Sequence, residues 1–152
     1  MSIHFPDWVS PALALARQTL ESCHAPDSFD FIGQIDETLP REGYRMQLSP
    51  MESGKQTLRL SGGSDVGLMY GAMDFVNRII PAAEQAHKWM FPYYFVNPFE
   101  TGFAPMDETS SPSVARRGLW TWGHVIYDYR GYLTHMARLK LNELVIWNDF
   151  AP

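Results

Sequence analysis

The sequence predicts an α+β fold: a small antiparallel or mixed sheet with two helices on one face, followed by a strand–helix–strand unit. Three observations lead there. Residues 29–35, 44–48 and 56–60 alternate apolar and polar, the period of half-buried strands. The segments after Pro11 and Asp65 repeat apolar residues every three or four positions, the period of a helix packed on a core. Near the end of the chain, the almost continuous apolar run ELVIWND follows an amphipathic helix, as in a strand covered on both faces. At 152 residues, 45% apolar and 19% charged, the chain has room for one ordinary domain, or a small domain and part of another.

The first helix is expected from Pro11. Ser10 can cap it through its hydroxyl, and proline suits the first helical position, where its missing N–H has no intrahelical partner. Leu13, Ala16, Leu20 and Cys23 fall on one face, and the APDS segment stops the helix. In the next segment Phe29, Phe31 and Ile35 point one way, with Gly33 among them, and Asp30 and Gln34 the other. Tyr44, Met46 and Leu48 oppose Arg45 and Gln47 in the second strand; Leu58 and Leu60 share a face in the third. Only a short turn around Pro50 to Gly54 separates these last two, so they form a hairpin.

The second helix follows a sharp turn at Gly62-Gly63, with Ser64 or Asp65 as its cap. Val66, Met69, Met73, Val76 and Ile80 make one apolar stripe, Asp74 lies off it, and Pro81 is expected to end the helix. Gly67 and Gly71 permit a neighbouring backbone to approach closely. Residues 82–113, punctuated by Pro92, Pro98, Pro105 and Pro112, keep no period and read as an aromatic, proline-rich loop and linker between a small domain at 1–81 and a unit at 114–152. In that unit RRGLWTWG is a short strand. A helix then begins near Asp128, which looks like its cap, with Tyr129, Leu133, Met136 and Leu139 or Lys140 on its buried side. Asn142 suits the left-handed residue that closes it, and ELVIWND returns as a parallel strand.

Composition excludes several function classes. With 12 Lys+Arg against 17 Asp+Glu, a net charge of −5 and no basic patch denser than Arg116-Arg117, nucleic acid is not an expected partner. Cys23, the single cysteine, excludes an internal disulfide and a cysteine-based zinc site and is neutral about compartment. The N-terminus shows no basic start followed by an apolar run, and no stretch of about 18 apolar residues predicts a membrane span.

The five histidines form no HxH, HxxxH or HExxH pair, so neither a metal nor a cofactor is expected. His135 reads as a surface or packed residue. The Gly62-Gly63 turn lacks both the P-loop lysine and the GxGxxG spacing, and reads as a capped strand-to-helix turn. There is no GxSxG elbow, and Cys23 lies on an apolar helix face. Aromatic residues reach 14%. They suit a core of large side chains, and equally a surface that stacks on sugar rings. If the last two strands are parallel neighbours, their carboxyl ends carry Trp122, Gly123, His124, Asn148 and Asp149. Asn148 and Asp149 can bind substrate hydroxyls; they can equally start a further helix or cap a loop.

Two segments in this order carry a resemblance. LRLSGGSDVGLMYGAMDFV resembles the strand, glycine turn and helix of the small domain that precedes the catalytic barrel in family 20 hexosaminidases and family 67 α-glucuronidases. ARRGLWTWG with YLTHMARLKLNELVIWND resembles the first barrel strand, first helix and second strand of the same enzymes. The resemblance implies an accessory N-terminal domain plus the opening of a (β/α)₈ barrel, within a glycoside hydrolase that breaks down polysaccharides or glycans. A whole barrel takes about 250 residues, so the tail alone cannot close one. Uncovered strands imply self-association, and the carbohydrate substrate would be met through the complete enzyme.

Arg117-Gly118 matches the hexosaminidase pair whose arginine holds sugar hydroxyls. Where that pattern continues with an aspartate and a second arginine, this chain has Leu119-Trp120-Thr121-Trp122-Gly123-His124. The resemblance therefore implies Arg117 as a substrate-binding residue, and the strand ends of a completed barrel add Trp122, His124, Asn148 and Asp149 as candidates. The resemblance implies no catalytic residue in this chain, because the family's acid/base carboxylates lie on a later barrel strand. A stand-alone carbohydrate- or protein-binding module, using the aromatic segment 89–95, is the alternative.

Overall fold

The computed structural model describes residues 1–7, 9–90, 97–122 and 126–147. It divides into two compact units, Met1–Ser111 and Pro112–Pro152.

The first unit is a mixed five-stranded sheet in the order β1-β2-β4-β3-β5. Its strands are β1 (Ser2–His4), β2 (Phe29–Ile35), β3 (Tyr44–Leu48), β4 (Gln56–Gly62) and β5 (Met106–Ser110). β3 and β4 form the expected antiparallel hairpin, with Tyr44 opposite Gly62 and Leu48 opposite Leu58. β2 lies parallel to both β1 and β4. β1 had no signal in the sequence: three residues are too few for alternation to register.

Two helices carry the other layer. In α1 (Pro11–Glu21) the Ser10 hydroxyl accepts the Leu13 N–H at 3.1 Å, as the cap reading required. Leu13, Ala16 and Leu20 are buried. The helix ends before Cys23, whose half-buried thiol approaches the Thr19 carbonyl at 3.7 Å.

α2 (Asp65–Asp74) packs on β2, β3 and β4 on one side and on α1 on the other. Every residue from Gly67 to Met73 is therefore buried, and the single stripe expected through Val66, Val76 and Ile80 is replaced by burial nearly all round, those three being half-buried. Gly67 has the close approach predicted for it: a Cβ there would stand 2.2 Å from the Gly43 carbonyl oxygen. Ser64 caps the helix by accepting from Val66 and Gly67, while Gly63 donates to Gly43 at 2.9 Å. The turn's amides are thus engaged within the protein.

Pro81 does not end this helical segment. Phe75–Ile79 forms a π-turn, in which the Ile80 N–H reaches the Phe75 carbonyl five residues back, and α3 (Ile80–Met90) follows. Proline in a helix loses a donor and crowds the carbonyl four residues earlier. A π-turn just before Pro81 widens the helix at that point and relieves the crowding.

The expected loop and linker over 82–113 is likewise corrected. Beyond α3 the segment supplies the short helix α4 (Pro98–Thr101), capped by Asn97 accepting from Phe99 at 3.1 Å, and the edge strand β5. Phe99 and Phe103 are buried and pack edge-on against Phe29, with Phe31 and Phe75 completing the ring cluster. Gln56, 2% exposed, holds the segment down. Its amide nitrogen donates to the Ser49 and Phe103 carbonyls, each at 2.8 Å, and its oxygen accepts the Phe103 N–H at 2.9 Å. A polar residue opening a strand gave no sequence clue that it was a core clamp.

β5 pairs antiparallel with β3, and charge fixes it there. Arg45 grips Asp107 with two hydrogen bonds, at 2.6 and 2.7 Å, and Gln47 adds a third at 3.0 Å. Arg78 reaches Glu108 at 2.7 Å and Asp74 at 3.6 Å, and the buried Tyr44 hydroxyl donates to Asp74. Asp74 is thus tied to the sheet rather than idle on a polar face.

The second unit holds β6 (Gly118–Trp122), α5 (Tyr129–Arg138) and β7 (Glu143–Trp147). β6 and β7 are parallel, Gly118 opposite Glu143 and Trp122 opposite Trp147. Met136 is the helix residue buried, whereas Tyr129, Leu133 and Leu139 are exposed, contrary to the stripe expected for α5. A two-stranded sheet is too narrow to cover that face. Lys140, with φ 56°, takes the left-handed closing position assigned to Asn142. The Leu141 N–H reaches the Met136 carbonyl and the Lys140 N–H the Ala137 carbonyl, at 2.8 and 2.9 Å.

Candidate functional site

The second unit separates its polar chemistry between the two ends of its sheet. At the amino end Arg116, Arg117, Asn142 and Glu143 serve the backbone or one another. Asn142 accepts the Arg117 N–H at 2.9 Å and donates to the Ala115 carbonyl at 2.8 Å, tying the start of β6 to the approach to β7. Arg116 forms an ion pair with Glu143, holding that carboxyl below the usual range through its hydrogen bonds. The Arg117 guanidinium donates to the Lys140 carbonyl at 2.5 Å and to the Val114 carbonyl.

Arg117 is therefore a backbone clamp just before β6, about 16 Å along the strand from Trp122. The structure does not bring these two expected site residues together. Trp122 closes β6 opposite Trp147, at the carboxyl ends of the two strands. His124, Asn148 and Asp149 lie outside the described residues, as does most of the aromatic segment 89–95.

At the carboxyl side of β6, where the chain turns into α5, there is a cleft of about 590 Å³. Trp120, Thr121, Tyr127, Asp128, Tyr132 and His135 are among its walls. Thr121 is buried and its hydroxyl faces the Val145 carbonyl at 3.4 Å, while Trp120 is 60% exposed. Asp128 caps α5, accepting the Gly131 N–H at 2.9 Å. A Cβ on Gly131 would fall 2.4 Å from the second Asp128 oxygen, so glycine here leaves room for the carboxylate. The cap was legible in the sequence. The cleft was not, because Trp120, Tyr127 and Tyr132 converge on it only once β6 and α5 are placed.

Among the described residues no group of three or more His, Cys, Asp or Glu is placed to hold a metal ion, and no helix is long and apolar enough to cross a membrane. Burial pushes the Cys23 thiol up to about 11, so it stays protonated, and a poor nucleophile, near neutral pH.

No protein-family profile and no curated protein matches the sequence. Solved structures do match the fold. Over 95% of its length the chain superposes on the GH20 exo-β-N-acetylglucosaminidase of Vibrio harveyi, with 14% identity in both cases. The TM-score is 0.60 to an inactive mutant of that enzyme and 0.58 to its complex with N-acetylglucosamine. Over 97% it superposes on a GH138 enzyme targeting pectin rhamnogalacturonan II, with TM-score 0.56 and 18% identity. The chain spans only 21% and 18% of the length of those proteins. Its fold is glycoside hydrolase-like.

Proposed function

We propose that this chain is the non-catalytic N-terminal portion of a carbohydrate-active enzyme, a glycoside hydrolase acting in the breakdown of polysaccharides or glycans. In this reading Met1–Ser111 is the accessory unit, and the βαβ unit opens a (β/α)₈ barrel whose later strands carry the acid/base carboxylates.

One observation carries the reading. Among the described residues, the large apolar side chains left exposed belong, Val9 apart, to the second unit, and Leu119, Leu133, Val145 and Ile146 among them lie outside the cleft. Parallel strands are normally covered on both faces, and two strands with one helix cannot cover themselves. The missing cover is what further strands and helices of a barrel supply. The fold shared with two glycoside hydrolases supports the same assignment. Trp122, His124, Asn148 and Asp149 then belong to the carboxyl ends of the first two barrel strands, the face where barrel enzymes bind substrate. Arg117 positions the start of the first strand.

The test is sedimentation of the full chain, together with assays on aryl glycosides that include N-acetylglucosaminides and glucuronides. The chain self-associates at high concentration, the double variant Leu133→Ser, Val145→Ser associates less, and no glycoside is turned over. A strictly monomeric chain would refute the barrel opening. Turnover abolished by a substitution within this chain would refute the non-catalytic role.

A further inference from the structure

We infer that the cleft between β6 and the start of α5 is a binding site for a neutral pyranose sugar, and that it discriminates against uronic acids. The inference rests on the glycan reading above for its ligand class and adds a site and a selectivity to it.

The cleft has the size and lining of a small-ligand site. Its volume, about 590 Å³, lies within the range of such sites, and its walls are mostly apolar with a few polar groups. Trp120, Tyr127 and Tyr132 offer flat apolar rings to the axial C–H face of a pyranose. Thr121, Asp128 and His135 supply hydrogen-bonding groups beside them. Asp128 does not lose that capacity as helix cap: Oδ1 accepts from Gly131, and a carboxylate has about four acceptor sites. The capping bond also fixes the carboxylate's position before any ligand arrives.

Charge decides the selectivity. Among the described residues that line the cleft Asp128 is the one acidic group, and none of them is lysine or arginine. A sugar hydroxyl can donate to Asp128, whereas a uronate carboxylate would meet a like charge with no guanidinium or ammonium to offset it.

Saturation-transfer NMR on the full chain tests this with methyl β-D-glucopyranoside, N-acetylglucosamine and glucuronate as probes. Transfer is expected to the ring protons of the two neutral sugars and not to glucuronate. Trp120→Ala should reduce it about five-fold, whereas Trp120→Phe retains most of it. Asp128→Asn keeps a capping oxygen, removes the charge, and should bring glucuronate transfer to within about two-fold of that to the neutral sugars. Because Asp128→Asn preserves the cap, it decides the matter even if Trp120→Ala fails to fold. Equal transfer to glucuronate and the neutral sugars, or an unchanged glucuronate signal in Asp128→Asn, overturns the proposal. So does an unaffected Trp120→Ala. If no sugar binds while the chain still self-associates, this site falls and the barrel-opening reading stands. If neutral sugars bind to a strictly monomeric chain, the reverse holds.

Discussion

Replacing Gln56 by leucine should be among the most damaging single changes in the first unit. The side chain is 2% exposed and makes three hydrogen bonds, to the Ser49 carbonyl and to both backbone polar groups of Phe103. Leucine has similar bulk but can neither donate nor accept, so it strands the Phe103 N–H and two carbonyls where water does not easily follow. At about 1 kcal/mol net for each neutral hydrogen bond, the loss is about 3 kcal/mol, and more if the stranded groups stay dry. With a urea dependence of about 1.5 kcal/mol per molar, the midpoint should fall by about 2 M. Gln47→Leu, at a half-buried position on the other face of β3 with a single side-chain hydrogen bond, should cost less, about 1 kcal/mol. Hydrogen exchange adds a local reading: the Phe103 amide should lose its protection first, because nothing else described accepts its proton. A loss below about 1 kcal/mol for Gln56→Leu, with Phe103 still protected, would refute the clamp.

Gly67→Ala should destabilise by about 1–3 kcal/mol in the same urea assay, because its Cβ meets the Gly43 backbone oxygen, which cannot swing aside as a side chain could. Met73→Ala should cost about 2–5 kcal/mol, the side chain being fully buried. Asp74→Ala should also cost a measurable amount, about 1 kcal/mol, since it removes the acceptor of the Tyr44 hydroxyl and the ion pair with Arg78; a neutral result would show that these contacts contribute nothing. Hydrogen bonds from Arg45 and then Gln47 pull the Asp107 carboxyl down to about 2. A depressed carboxylate stabilises the fold above its ordinary value of 3.8 and loses that contribution as pH falls from there through about 2. Carboxyl-carbon NMR should show the Asp107 midpoint return toward its ordinary value in Arg45→Ala.

Where one local rule governs, the sequence was readable. Ser10 before Pro11, the Gly62-Gly63 turn with Ser64, and the alternation of Tyr44, Met46 and Leu48 each appear in the structure as read. So does the pair of parallel strands around α5. The misreadings share a different cause. Pro81 is tolerated because the π-turn just ahead widens the helix, an adjustment set by packing rather than by any residue that could be recognised in advance. Residues 97–110 looked like linker because α4 is a single turn and β5 is polar on both faces. Their order comes from partners far away in sequence: Gln56, Arg45 and Arg78.

The same applies to the candidate site. The pattern of elements placed Trp122 at the carboxyl end of a strand paired in parallel with another, as the structure has it, but not the cleft beside it. Arg117, chosen for its chemistry, is drawn instead to three backbone carbonyls near its own strand start. No sequence pattern announces which carbonyls a guanidinium will find.

The two outer strands of the five-stranded sheet have a consequence for how copies of this protein meet. An unpaired strand edge is a template on which other chains can add strands, and it is the usual route to fibrous aggregation. Here β1 offers only three residues to such a visitor. β5 is longer, but it carries Asp107 and Glu108 side by side, and each is fastened to an arginine of its own chain. A second copy approaching β5 edge to edge would bring its own acidic pair against this one. The sheet is therefore poorly suited to grow by recruitment, although its central strands are rich in the residues that amyloid favours.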